Sequence, residues 1–205
     1  MAEKEKSPTR VTTGKVMLSY VSLFTPYIDP KKPTEKGKYK CLLLIDKKDK
    51  DTVAKIKSAI KHVEAKMIAE KYAGKAPKKA ISNTLRDGDE EKDEEEYEGK
   101  YYMNVWSLRK PPVIDRDKEP ITDPDKVYSG CYARVCLNAY YYWGDESKGI
   151  TFGLEAVQFV SNGPRLGGGS VNIDEAFGDD YEFEDEEEDE EDENQHTVLP
   201  VKWLL

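Results

Sequence analysis

Residues 174–193 read DEAFGDDYEFEDEEEDEEDE, with fifteen Asp or Glu and no Lys or Arg. A block of like charge this dense repels itself and has nothing to bury, so it is expected to be disordered. Any packed fold must therefore come from the residues before it. Those residues carry the opposite sign. The chain has 41 acidic and 32 basic residues, of which 26 and 31 fall in 1–173, so the formal net charge of −9 hides a basic body. A second acidic run, DGDEEKDEEEYE at 87–98, holds nine acids and one Lys. Without it the body is strongly positive. We read the internal run as a solubilising loop. A polyanion tethered to a basic body points instead to an anion-binding surface, and nucleic acid is the commonest ligand of such a surface.

Length and composition bound the rest. Of the 205 residues, about 160 remain once the tail and the polar start MAEKEKSPTR are set aside, enough for one hydrophobic core. The expected organisation is a flexible start (1–12), a nucleic-acid-binding domain (13–165), and a linker with an acidic tail and apolar tip (166–205). No run of eighteen apolar residues occurs, so no membrane-spanning helix is expected. The initial charges are not followed by an apolar stretch, so no secretory signal is expected either. Cys41, Cys131 and Cys136 are an odd number in strand-like apolar runs, which suits buried thiols and a cytoplasmic setting. No cysteine pair has zinc-ligand spacing, and with two His in the chain neither a metal nor a cofactor is expected.

Along the body, β-branched and aromatic runs dominate. Residues 11–28, 37–46, 100–108, 127–143 and 150–161 read as strands. Between the second and third, Val53, Ile56, Ile60, Val63 and Met67 recur at steps of three and four, predicting an amphipathic helix. Asp49 or Asp51 can cap its start, and Gly74 with Pro77 can end it. Its other face carries Lys55, Lys57, Lys61, Lys66 and Lys71 and reads as solvated. Residues 75–99 read as a polar insertion, RKPPVID (109–115) as a rigid basic turn, GDESKG (144–149) as a hairpin turn, and NGPRLGGGS (162–170) as linker. Five strands without regular intervening helices favour a small closed barrel over a parallel sheet.

Residues 127–143, VYSGCYARVCLNAYYYW, separate by parity. Cys131, Ala133, Val135, Leu137 and Ala139 fall on one face and fit a core. Tyr128, Tyr132, Arg134, Asn138, Tyr140 and Tyr142 fall on the other and make an aromatic and cationic surface. Unpaired bases stack on such rings while Arg or Lys hold phosphates, whereas duplex binding needs no exposed tyrosine row. Trp106 shares a face with Tyr102 and Asn104, beside Arg109 and Lys110. Lys38 and Lys40 share a face of the second strand. Catalytic signatures are missing. GKAPKKAIS lacks phosphate-loop spacing, GPRLGGG opens no helix, and the carboxylates sit in solvated runs. We therefore expect no enzymatic activity.

From about residue 14 to 169 the chain resembles the single-stranded-DNA-binding proteins of tailed bacteriophages. The resemblance rests on RKPPVID, then VYSGCYARVCLNAYYYW, then KGITFGLEAVQFVSNGPRLGGG, in that order. It implies a mainly β protein, a five-stranded OB-fold barrel with one amphipathic helix and a disordered acidic C-terminal tail. It also implies single-stranded DNA as ligand during replication, recombination and repair in a bacterial host cytoplasm, with the tail recruiting partners such as polymerase or helicase. The family's tails usually end soon after the acidic run, whereas this chain continues through QHTVLPVKWLL.

The sequence thus nominates Tyr132, Arg134, Tyr140, Tyr142 and Trp106 as a base-stacking platform. Lys38, Lys40, Arg109 and Lys110 are nominated for phosphates, and Trp203, Leu204 and Leu205 as a partner-docking tip. The rival reading is an acidic interaction or chaperone protein whose polyanionic tail binds basic partners, with the barrel as scaffold.

Overall fold

The alternating residues of the first two expected strands pair into one long antiparallel hairpin. In a computed structural model of the chain, which describes residues 7–167, β2 (Val16–Tyr27) runs against β3 (Lys38–Asp46) with Leu18 opposite Leu43 and Ser22 opposite Lys40. The register shifts between Ser19 and Ser22, a bulge at which Tyr20 takes φ +49°, a conformation rarely tolerated by a bulky side chain. The expected first strand also breaks near its start. A short β1 (Arg10–Thr12) leaves β2 and pairs with a later strand. Residues 10–12, expected within the flexible start, are therefore part of the sheet.

The chain then turns into α1 (Lys50–Lys71). Asp49 caps it by accepting the Thr52 N–H at 3.0 Å, and Gly74 follows its end at φ +78°, the left-handed geometry glycine supplies. Val53, Ile56, Ile60, Val63 and Met67 all turn inward as the periodicity predicts. Each fully buried side chain, such as Ile56 or Met67, contributes about 1.5–3 kcal/mol by leaving water.

The remaining elements are β4 (Arg86–Asp87), a short α2 (Gly88–Glu91), β5 (Lys100–Ser107), β6 (Val113–Ile114), β7 (Tyr132–Trp143) and β8 (Lys148–Ser161). Pairing runs β7 to β2 to β3 to β5 to β8 and back to β7, so five strands close a ring. All these pairings are antiparallel except β5 with β8, which meet in parallel at Trp106 and Gly153. This is the five-stranded barrel expected, with β1, β4 and β6 added at its margins.

Three segments differ from expectation. The polar insertion carries structure of its own, because β4 pairs with β5 and a 3-10 turn at Glu95–Tyr97 buries the Tyr97 ring. The basic turn ends early, since Val113–Ile114 pair in parallel with β8 once the prolines are passed. The fourth long strand starts at Tyr132 rather than 127. Gly130 bends there at φ +109°, and a Cβ on it would lie 1.7 Å from the Pro164 carbonyl oxygen. Only glycine admits that approach. The chain just after β8, expected as linker, is held there by the Leu166 N–H donating to Ser129 O at 2.8 Å. The acidic tail and its tip, 174–205, lie outside the described residues.

The barrel interior is filled by alternate residues of every long strand, together with the apolar stripe of α1. A second, smaller apolar cluster consists of Leu42, Leu44, Tyr97 and Tyr102. Leu42 and Leu44 alternate with core residues Cys41, Leu43 and Ile45, so this cluster lies on the barrel's outside.

Candidate nucleic-acid interface

The outward row of β3 begins Lys38, Lys40 and continues Leu42, Leu44. On β5, paired beside it, the outward residues are Tyr102, Asn104 and Trp106, with Trp106 directly opposite Lys40. Lys38 and Lys40 are half-buried, as is Trp106. The Lys38 ammonium lies 5.0 Å from the Trp106 ring centroid, and that of Lys40 lies 3.3 Å from the ring of Tyr27. Lys110 approaches Phe24 at 5.7 Å. Each ammonium is drawn to the negative face of a ring, at about 0.5–2 kcal/mol. Lysines and aromatics are thereby interleaved in one patch. Arg109 is exposed at the turn that leads to Lys110.

Moving around the ring from Trp106, β8 presents Gly153 and β7 presents Asn138 at the same level. A Cβ on Gly153 would meet the Tyr140 ring at 3.5 Å. The bare glycine thus leaves a shallow gap between Trp106 and Tyr140, which lie two strand spacings, about 10 Å, apart across the sheet and two residues, about 7 Å, apart along it. Burial pushes the Tyr140 phenol above its ordinary pKa, so it stays a neutral hydroxyl at physiological pH. Tyr142 follows on the same face and is 38% exposed. The geometry therefore brings Lys38, Lys40 and Trp106 onto the paired strands β3 and β5, with Lys110 in the turn after β5 and Tyr140 and Tyr142 on β7, one strand beyond β8.

Tyr132 and Arg134 are set apart from that group. Tyr132 lies six residues before Asn138 on β7, about 20 Å along the strand. Its ring carries Lys15 at 4.3 Å, and Gly163 approaches its edge so closely that a Cβ there would lie 2.9 Å away. Arg134 donates to Thr13 O at 3.4 Å and to Gln158 Oε1 at 3.3 Å. Both residues face outward as parity requires, yet they serve local contacts at the other end of the strand. Trp203, Leu204 and Leu205 lie outside the described residues.

The patch is bounded by the internal acidic run. Tyr97 inserts between Leu42, Leu44 and Tyr102, meeting the Tyr102 ring edge-on at 5.2 Å. Lys47 pairs with Asp87 and, at 2.7 Å, with Asp89. Arg86 grips Glu91 with two nitrogens, the closer contact at 2.5 Å, and the Tyr102 hydroxyl donates to Glu91 at 3.2 Å. The Arg86 hydrogen bonds hold Glu91 below the usual carboxylate range, and those from Lys47 do the same for Asp89. The run expected as a solubilising loop is thus docked on the barrel.

Sequence reading missed Tyr27 and Phe24 in the patch, and Tyr97 in its boundary. The register of β2 shifts twice, between Ser19 and Ser22 and between Ser22 and Tyr27, so alternation from Val16, which puts Tyr27 outward and Phe24 inward, does not show that Lys110 and Lys40 reach these rings. A tyrosine embedded in nine acids gives a real signal, because such a run needs no aromatic unless it docks. Among the described residues, no group of three or more His, Cys, Asp or Glu is arranged to hold a metal ion. No described helix is long and apolar enough to cross a membrane.

The model of a protein family described as Enterobacter phage Enc34, ssDNA-binding protein, matches residues 9–193. The chain belongs to this family of phage single-stranded-DNA-binding proteins. A relative within reach of direct alignment is protein p50 of Acyrthosiphon pisum secondary endosymbiont phage 1. It is 36% identical over 181 residues, covering 83% of this chain and 93% of the relative. Among solved structures, the Enc34 single-stranded-DNA-binding protein in complex with ssDNA is 25% identical. It aligns over 78% of this chain and 90% of its own, with TM-score 0.64. The gp2.5 single-stranded-DNA-binding protein of bacteriophage T7 shares the fold at 17% identity and TM-score 0.57, over 85% of this chain and 98% of its own. The ring of the phage-family chain is thus the OB-type barrel that the sequence resemblance implied.

Proposed function

We propose that this protein coats and protects single-stranded DNA, with little sequence preference and no catalysis, during phage DNA replication, recombination and repair in the host cytoplasm. The observation that carries the reading is the interleaving of Lys38 and Lys40 with Trp106 and Tyr27 on the outside of the barrel. Unpaired bases offer π-faces that stack at about 1–3 kcal/mol each, while the ammonium groups take the phosphates. Tyr140 and Tyr142 continue the stacking surface, and Arg109 and Lys110 add charge at its rim. A duplex hides its π-faces and offers the patch only its phosphates.

In this reading the body 13–165 binds DNA and residues 166–205 regulate it. Fifteen carboxylates in 174–193 on a tether stay concentrated near a basic surface. They compete with DNA as an internal mimic and are displaced when DNA fills the patch. Trp203, Leu204 and Leu205 then give a freed tail an apolar anchor for a replication partner, because Trp and Leu bury area that a polyanion cannot.

The test is a titration of labelled poly-dT, poly-rU and duplex DNA across a salt series, with full-length protein and a variant lacking 174–205. Single strands should bind tighter than duplex. Truncation should tighten binding at low salt and less so at high salt, where screening already weakens the tail. Equal affinity for duplex and single strand defeats the stacking account. Weaker binding after truncation defeats the competition account.

A further inference from the structure

At the far end of the β7–β8 hairpin lies a second aromatic and basic constellation that the patch around Trp106 does not include. Trp143, the last residue of β7, is 42% exposed. It meets the Tyr72 ring edge-on at 5.2 Å, just past the end of α1. Lys148 reaches over both rings, 4.6 Å from the Trp143 centroid and 5.7 Å from that of Tyr72. Beside them opens a cleft of about 300 Å³ lined by Tyr72, Pro77, Lys79, Ile81, Ser82 and Lys148. Its walls are largely apolar and ring-shaped, with two ammonium groups among them. Lys75 and Lys78 stand exposed on the same segment.

This cleft adjoins the end of the stacking row at the edge of β8, where Asn83 bridges to Ile150. A Cβ on Gly149 would lie 2.7 Å from Ser82 Oγ and 2.9 Å from the Tyr142 hydroxyl. Tyr142, the end of the outward row, and Ser82, a wall of the cleft, therefore meet over that glycine. Gly149 is four residues along β8 from Gly153, about 13 Å from the level of Trp106. A strand that follows Trp106, Tyr140 and Tyr142 reaches the cleft by passing over the β8 edge at Ser82, since Trp143 and Lys148, the next pair, face the other side of the ribbon.

We propose that the cleft is a second nucleotide subsite. It holds a base of the same single strand against Tyr72 and Ile81, and its phosphate between Lys79 and Lys148. The subsite rests on the single-stranded-DNA reading above and extends it from one patch to a path. The chemistry matches on both counts, since the apolar walls suit a base face and the paired ammonium groups suit a phosphate.

Oligonucleotide length separates the subsite from the patch. Fluorescence anisotropy on the full-length protein at low salt would compare oligo-dT of about 4 and about 16 nucleotides, the span of OB-fold footprints. The double variant Lys79→Ala/Lys148→Ala should weaken the long oligonucleotide by about tenfold and flatten its salt slope by about 1.4. The short oligonucleotide, seated at Trp106, should bind as to wild type. Lys55→Ala/Lys66→Ala removes the same charge from the exposed face of α1 and should change the long oligonucleotide less. Equal losses on both lengths, or a long-oligonucleotide loss no greater than that of the α1 control, would overturn the subsite while leaving the patch standing. If wild type prefers neither length over duplex, the DNA reading and the subsite fall together.

Discussion

Two halves of one strand face behave oppositely. On β3, Lys38 and Lys40 are half-buried beside Trp106, whereas Leu42 and Leu44, next on the same row, are 5% and 1% exposed beneath Tyr97. The strand, the register and the partner β5 are common to both halves. What differs is the acidic segment 86–98, which supplies one aromatic plug and spends Asp87, Asp89 and Glu91 on Lys47 and Arg86. Barrel exteriors therefore take their role row by row. The apolar stretch on the outside is covered, and the stretch beside it carries the charge and rings proposed to meet DNA. The remaining carboxylates of the segment, such as Glu94 and Glu95, are exposed and repel phosphates from the covered half.

The two halves can be separated experimentally. The largest effect is expected from Tyr97→Ala, which empties a site where the side chain is 4% exposed. It should cost about 3 kcal/mol of stability, read by thermal or urea unfolding, while single-stranded DNA affinity of the folded protein does not fall. A proportional loss of affinity would show that the halves are not independent. Trp106→Ala should do the reverse, weakening DNA binding by about 1–3 kcal/mol with little change in melting. Lys38→Ala with Lys40→Ala should act more gently, flattening the dependence of log affinity on log salt by about 1.4.

The smallest effect concerns pH. Asp89 and Glu91 sit below their ordinary values of 3.8 and 4.5. Their contribution to docking is present above those values and is lost as pH falls through the depressed ones. The hydrogen bonds from Lys47 to Asp87 and Asp89 raise its pKa above 10.5, so its contribution is present below 10.5 and is lost only above the raised value. Docking of the acidic segment should be flat across neutral pH, loosen in acid, and loosen again only in strong alkali, above the raised Lys47 value. The probe is amide exchange at Gly99, whose N–H donates to Asp89 at 2.6 Å. Read as protection relative to an unstructured amide at the same pH, it should hold across neutral pH and fall in acid, and a loss of protection near neutral pH would contradict the assignment.

Much of this architecture was legible in the residues. The three-and-four spacing of Val53 to Met67 gave α1, and Asp49 its cap, because both are local. Parity placed Cys131 to Ala139 inward and Tyr140 outward, because β7 is regular there. The bulge at Tyr20 was not legible, since one extra residue leaves no compositional mark, and with it went the register that sets Ser22 opposite Lys40 and Tyr27 opposite Lys38. The separation of Tyr132 from Trp106 was also hidden. Parity assigns a face, but only the cross-strand register of Trp106, Gly153 and Asn138 assigns a level along the barrel. Tyr97 was passed over because a strongly acidic run reads as solvated, although one ring suffices to anchor it.

The closure of the ring bears on how quickly the chain can find this shape. The β2–β3 and β7–β8 hairpins join near neighbours, whereas Val16 must meet Ala133 and Arg10 must meet Asn138. Those encounters close loops of more than a hundred residues, and their entropy is spent before any pairing rewards it. The two hairpins can form early, but the seam between β5 and β8, a parallel pairing at Trp106 and Gly153, depends on both halves being in place. Trp106, the residue proposed to stack a base, thus stands at the join. A chain still folding, with that seam unzipped, lacks the proposed stacking surface, which is assembled only with the last long-range contacts.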